Sequence, residues 1–408
     1  MKFDKIFEWD GFSDQPYPIR DKKAKKDIYR LTIIDTLKMV VTNILLFPLI
    51  AISFLSALFK NREINGDNFF GMGVDINCDL ELIKELGVDN LLVRVPLSDI
   101  ENFDKYKLFI DKLDGYSVIV NILQDRRHIE DLSLLKSSIT TIFERLNIKE
   151  YQIGNAINRK KWAFFTMDEY MNFYKTVQNI RDSKFKDISL IGSSVIDFEY
   201  YFSVRTLFNF HKIYYDKFSS LLYVDRRGSP ENTQMGLDLI KKIKLLYAMV
   251  ILSPKSSNKI VITETNWPIS NRAPYAPTSE KECVGLDDYA LYMVQYYLMS
   301  FTTGMIETIY WHQLVAVGYG LVDNRDGIKK YPAFEAYKTM LSLLKGATLL
   351  EFDFGKDIKY MKFQKDKIIE VYWSHNSLLK KHKSAKLLNI YAQEYRDENF
   401  MYVIDSKE

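Results

Sequence analysis

Along the first sixty residues, polar and apolar positions separate into two blocks. Arg20, Lys22, Lys23, Lys25, Lys26, Arg30 and Lys38 crowd one stretch, and residues 39–59 (MVVTNILLFPLIAISFLSALF) then run without a charge. A helix needs about 20 apolar residues to cross a bilayer, so this run is just long enough. It starts too late in the chain for an ordinary signal peptide. Pro48 in its middle is tolerated in a membrane helix. The basic residues before the run outnumber Lys60 and Arg62 after it, which predicts a span with the amino terminus in the cytoplasm. The rest of the chain would then sit outside, anchored in an inner membrane. The alternative is a helix lying in the interface, its basic stretch on anionic headgroups and the rest at the cytoplasmic face. A buried helix of a soluble protein is the third reading.

From residue 69 the pattern changes. Short apolar runs begin at Phe69, Asn90, Ser117, Glu150, Asp187, Phe218, Lys259 and Met305, and a longer segment of helical period follows each. Thr166 and Glu169 form a capping box before one such segment, and Asp287 and Asp288 open another. Eight βα units in roughly 275 residues predict an α/β fold, a (β/α)8 TIM barrel. A doubly wound open sheet is the rival, but no GxGxxG follows the first strand. After Gly346, five short alternating runs (ATLLEFDF, IKYMKFQ, KIIEVYWS, KLLNIYAQ and FMYVID) predict a small antiparallel β appendage. The domains expected are a basic segment at 1–38, a membrane helix at 39–60, a barrel at 66–345 and a small β domain at 346–408.

Composition narrows the function classes. With 47% hydrophobic and 27% charged residues, the 408-residue chain can bury a large core, which excludes disordered and collagen-like proteins. The net charge is +3, from 56 basic and 53 acidic residues, and argues against a nucleic-acid partner. Cys78 and Cys283 allow one disulfide at most. No metal-ligand cluster or phosphate-cradling loop is visible, so no cofactor or metal is inferred.

Chemistry in such a barrel sits at the carboxyl ends of the strands. The second strand ends near Arg94 and the fourth at Asn155-Ala156. The sixth ends at Tyr223-Val224-Asp225-Arg226-Arg227. The seventh ends at Glu264-Thr265-Asn266-Trp267, and the eighth at Trp311-His312. Polar side chains on apolar strands, beside two tryptophans, suit a sugar: aromatic rings take its apolar faces, and donors and acceptors take its hydroxyls. Arg94 is the natural charge partner for Glu264 and would keep it ionised. Tyr223, Asp225 and His312 join the set as binding residues. The loop from Pro268 to Gly285 is long enough to wall a pocket.

This run resembles the clan A glycoside hydrolases, the retaining barrel enzymes, over about residues 69–340. In that clan the fourth strand ends in Asn-Glu, where the Glu is the general acid/base, and the seventh ends in a nucleophilic Glu. The resemblance implies Glu264 as nucleophile, Arg94 as its conserved arginine, Asn155 as a contact to the sugar 2-hydroxyl, and Trp311 as the aromatic floor. It also marks a departure, because Ala156 stands where the acid/base is expected. Retention uses two carboxyl groups about 5–5.5 Å apart, and an alanine can move no proton. General acid catalysis is worth about 10²–10⁴-fold, so ordinary hydrolysis should suffer. Asp225 is a substitute acid to consider.

Two functions follow. One is a membrane-anchored retaining glycosidase or transglycosylase acting on envelope polysaccharide or glycolipid, favouring donors with good leaving groups. The other is a catalytically inactive relative that binds glycan beside polysaccharide-assembly proteins.

Overall fold

The structure is a computed structural model, and it describes residues 6–60, 66–224, 228–374, 385–394 and 399–405. It opens with a hairpin of two-residue strands, Trp9–Asp10 against Gln15–Pro16, and then a single long helix, α1 (Lys22–Leu58). The barrel strands are β1 (Phe70–Val74), β2 (Asn90–Pro96), β3 (Ser117–Leu123), β4 (Glu150–Ile153), β5 (Ser189–Ile196), β6 (Lys217–Leu221), β7 (Ile260–Thr265) and β8 (Thr308–Trp311). Each pairs in parallel with its neighbours, and β8 closes on β1. The connecting helices are α2 (Leu80–Leu86), α3 (Phe103–Ile110), α4 (Arg126–Glu130), α5 (Leu132–Arg145), α6 (Met167–Lys184), α7 (Tyr200–Leu207), α8 (Leu239–Leu252), α9 (Leu286–Phe301) and α10 (Pro332–Leu344). The expected TIM barrel is therefore present with all eight strands.

The barrel interior is apolar at one level and polar at the next. Leu92, Ile119, Ile191, Val261 and Tyr310 pack together inside it. Side chains two positions apart share a strand face. Arg94 and Asn121 therefore stand one layer above Leu92 and Ile119, on neighbouring strands in register. This layer is the floor of the mouth.

The helix ends follow local chemistry. Thr166 caps α6 by accepting the Glu169 amide hydrogen bond at 3.1 Å, as the capping box predicts. In α9 the cap is Gly285 rather than an aspartate, and Asp287 and Asp288 occupy the first turn. There they still complement the positive end of the helix dipole. Cys78 and Cys283 are both free thiols. Five strands, β9 (Thr348–Phe354), β10 (Ile358–Gln364), β11 (Ile368–Ser374), β12 (Ala385–Leu388) and β13 (Phe400–Asp405), form the carboxyl-terminal antiparallel sheet, in the order β9-β10-β11-β13-β12. It docks on the barrel through Phe363 on Phe301, with ring centres 5.4 Å apart, and through a Trp373 indole hydrogen bond of 2.7 Å to Glu231.

The apolar run is only part of α1. Its helix begins at Lys22, capped by the Asp21 carboxylate, so the basic stretch forms its first turns. The helix lies along the flank of the barrel against α7 and α8. Asn43 donates to the Tyr201 carbonyl at 3.0 Å, Ser53 to the Ala248 carbonyl at 3.1 Å, and Lys244 to the Leu58 carbonyl at 2.8 Å. Ile50 and Ala57 are buried in the main core. On the opposite face Ile34, Leu37, Ile44, Leu45, Phe47 and Ile52 are exposed, and fully exposed Phe210 lies beside α1. One apolar helix of membrane-spanning length is thus present near the amino terminus.

Asp35 fixes α1 at the start of α6. Its carboxylate accepts the Met167 amide at 2.7 Å and stands 3.7 Å from the Arg205 guanidinium. Removing this buried acceptor strands the Met167 amide, at about 1–3 kcal/mol, while Arg205 keeps Asp168 at 2.7 Å. Asp35→Ala should lower the urea midpoint of the detergent-solubilised protein accordingly, and Asp35→Asn, which keeps an acceptor, should lose less.

Candidate active site

The mouth of the barrel holds a cavity of about 390 Å³, and Arg94, Tyr223, Glu264 and His312 all line it. Glu264 lies near the end of β7 and receives three donors. Arg94 Nη2 pairs with its Oε2, Tyr223 donates to Oε1 at 2.8 Å, and Asn155 Nδ2 approaches Oε2 at 3.3 Å. Burial would push this carboxyl up, but the Arg94 charge and the Tyr223 and Asn155 hydrogen bonds outweigh it and hold Glu264 below the usual carboxylate range. Glu264 is therefore an anion at neutral pH, with donors on both oxygens.

Asn155 is aimed by an unusual backbone. Gly154 before it and Ala156 after it both take positive φ, 85° and 44°. Its amide is anchored by Gln124, which donates to the Asn155 carbonyl and accepts from its N–H, each at 2.8 Å. Its side-chain oxygen accepts from Asn121 at 3.1 Å. Asn155 is 1% exposed and does not line the cavity, so it orients Glu264 and is not open to a sugar hydroxyl. Ala156 is fully buried among Leu123, Trp162, Ile196, Leu221 and Tyr223.

Trp267 and Trp311 also differ from expectation. The two indoles stack 5.9 Å apart beneath the floor and are 1% and 0% exposed. Trp311 donates to the Tyr289 hydroxyl at 2.8 Å, and Tyr296 and Tyr297 of α9 close over it. These rings belong to the core between β7, β8 and α9, and no sugar face reaches them. The aromatic surface in the cavity is Trp162, Tyr223 and Tyr319 instead. Asp225, Arg226 and Arg227 lie outside the described residues.

His312 stacks on Tyr319, with ring centres 5.3 Å apart. Burial and then the Arg94 charge push its imidazole down to about 3. At pH 7 it is neutral and lends no charge to Glu264, whose ion-pair partner is Arg94.

The loop after β7, expected to wall a pocket, supplies Pro268, Pro277, Thr278 and Glu282. Other wall residues were not foreseen. Asp197, after β5, lines the cavity in an ion pair with Arg159. The amino-terminal hairpin covers one side of the mouth with Ser13, Asp14 and Gln15. Gln15 accepts from Lys161 at 2.6 Å and donates to the Pro277 carbonyl at 3.0 Å. Trp9 packs edge-on against Trp162 at 5.6 Å, and Asp14 reaches Arg94 Nη1 at 3.3 Å. No motif or spacing connects Asp14 with Glu264, 250 positions away.

Comparison with known proteins bears on the fold. No family model matches the sequence, and no curated protein does. Solved structures do match. A family 39 glycoside hydrolase from Bacteroides cellulosilyticus WH2 superposes with a TM-score of 0.60 at 14% identity, over 85% of this chain and 81% of that one. A family 30 endoxylanase from Clostridium papyrosolvens C71 gives 0.57 at 11% identity, over 85% and 98%. A family 51 arabinofuranosidase from Xanthomonas axonopodis pv. citri gives 0.53 at 12% identity, over 85% and 95%. At these identities the likeness is one of fold alone, an eight-stranded parallel barrel shared with these glycoside hydrolases.

The buried histidine makes a pH prediction. An unfolded imidazole takes a proton near 6.5, whereas folded His312 takes one only near 3. Below about 6.5 the unfolded chain binds one more proton, so stability falls with pH. Between pH 7.5 and pH 5, where unfolded carboxylates are still mostly ionised, His312→Gln should lose roughly 2 kcal/mol less than the parent in urea titrations.

Proposed function

We propose that the chain is a glycosidase-like protein of a membrane surface, acting on an envelope polysaccharide or glycolipid by retaining glycosyl hydrolysis or transfer. Glu264 is the nucleophile, and the observation that carries this reading is its set of donors. A carboxylate kept ionised in a cavity by Arg94, Tyr223 and Asn155 is prepared to attack an anomeric carbon. Tyr223 and His312 stand where a bound sugar would meet them. Without a carboxyl group at Ala156, donors that leave unaided, such as sugar phosphates, are favoured over plain glycosides.

The apolar setting of Ala156 favours a second reading, an inactive glycan-binding relative within a polysaccharide-assembly complex. A panel of 2-fluoro glycosyl fluorides separates the two, because these reagents carry their own leaving group and need no acid. Intact mass should show one covalent sugar, peptide mapping should put it on Glu264, and Glu264→Gln should abolish it. Glycan binding with no label from any sugar would favour the inactive relative.

For the membrane, we propose that α1 lies in the interface rather than across the bilayer. An upright span of residues 39–59 would have to drag α7 and α8 into hydrocarbon or give up their contacts. In-plane docking keeps those contacts, buries the outer row of Ile34, Leu37, Ile44 and Ile52, and sets the lysines of the first turns on anionic headgroups. Alkaline carbonate should therefore release the full-length protein from membranes. Retention in the pellet would instead indicate a span, with the basic end in the cytoplasm and the barrel outside.

A further inference from the structure

A nucleophile without a proton donor leaves a glycosidase half built, and the cavity holds one carboxyl group suited to the missing role. We infer that Asp14, on the amino-terminal hairpin, is the general acid/base of this site. This inference rests on the retaining reading of Glu264.

The geometry comes first. Asp14 lines the cavity that holds Glu264, and 41% of its side chain is open to that space. A single guanidinium joins the two: Arg94 Nη1 meets Asp14 Oδ2 at 3.3 Å while Nη2 meets Glu264. Their oxygens are thus no more than about 8 Å apart, a bound that admits the roughly 5–5.5 Å separation of retaining pairs. The hairpin is held in place. Asp10 accepts from the Phe12 amide at 3.0 Å and from the Ser13 hydroxyl at 2.7 Å, which shapes the turn, while Trp9 and Gln15 clamp it to Trp162, Lys161 and Pro277. Asp14 sits at φ 49°, a left-handed conformation that aspartate tolerates better than most residues, and one that the surrounding contacts must maintain.

Charge then separates the pair. Two carboxyl groups share one cation, and Glu264 has the closer contact together with Tyr223 and Asn155. Asp14 is raised instead: its enclosure in the cavity pushes it up, the pull of Arg94 does not cancel this, and Asp75 adds a like charge. A pair whose environments push two carboxyl groups in opposite directions marks an acid and a base. Of the other wall carboxylates, Asp197 is committed to an ion pair with Arg159 and Glu282 stands on the loop after β7, whereas it is Asp14 that Arg94 joins to Glu264.

The steps balance. As a Glu264 oxygen bonds to the anomeric carbon, the glycosidic C–O bond breaks with its electron pair on oxygen. That oxygen takes the Asp14 proton and leaves as an alcohol. Water then attacks the anomeric carbon and gives its proton to the Asp14 carboxylate. The ester C–O bond breaks, Glu264 returns as a carboxylate, and Asp14 is again protonated.

The test uses the full-length protein and the sugar found by 2-fluoro labelling, presented as phenyl and 2,4-dinitrophenyl glycosides. Asp14→Asn should slow release of phenol by about 10²–10⁴-fold. Formation of the glycosyl-enzyme from the dinitrophenyl glycoside should change by less than about 10-fold, since that group leaves without a proton. Azide should accelerate turnover of the variant and yield a glycosyl azide. Equal losses on both substrates would make Asp14 a structural plug and overturn the inference. So would no loss at all, or the same leaving-group dependence moved to Asp197→Asn. Labelling of Glu264 with an indifferent Asp14→Asn refutes only the role of Asp14, whereas the lack of any label refutes the retaining reading and this inference with it.

Discussion

One positive charge organises the mouth of this barrel. Arg94 rises from β2, one layer above the apolar plug, and its guanidinium meets Glu264 on one side and Asp14 on the other. Buried ions are costly unless paired and hydrogen-bonded, so each neighbour is constrained by that cation. Glu264 must remain ionised to balance it, Tyr223 and Asn155 must supply donors to the rest of the carboxylate, and His312 beside them must stay neutral. Substituting Arg94 would therefore do more than remove a contact. It would leave a buried anion uncompensated and return Glu264 toward the neutral form that cannot attack carbon.

The same cation ties the amino terminus to the site. The hairpin that carries Asp14 is followed within a few residues by α1, which runs down the flank of the barrel past α7 and α8. A segment that would otherwise be a free tail ahead of a membrane anchor is fixed at both ends, by Asp14 at the mouth and by Ser53 and Ala57 against the barrel wall. The cavity and the apolar face of α1 consequently keep a set relation.

Much of this was legible in the sequence. The strands announced themselves because each is a short apolar run between helices with period 3.6, and a parallel strand buried on both faces reads in no other way. Glu264 and Arg94 stood out as charges on apolar strands, where burial demands a partner. The tryptophans misled because a ring at a strand end looks the same whether it faces the mouth or the helix layer. That choice is made by a register shift between β7 and β8 near Trp311, and by the tyrosines of α9 that pack behind it. Asn155 misled in a similar way, since the sequence gives its position but not the Gly154 and Ala156 conformations that aim it at Glu264.

Asp14 was beyond sequence reasoning for a deeper reason. Periodicity reports elements that bury a face, and a hairpin of two-residue strands buries almost nothing of its own. It is ordered by what it touches: Trp162, Lys161, Pro277 and Arg94, from two separate loops and a strand. A barrel can change its chemistry at such a place without altering a strand. Ala156 sits in an apolar cluster, and a segment outside the barrel brings the Asp14 carboxyl group to the cavity that holds Glu264. The resulting arrangement is one guanidinium between two carboxyl groups, one supplied by a barrel strand and the other by the hairpin.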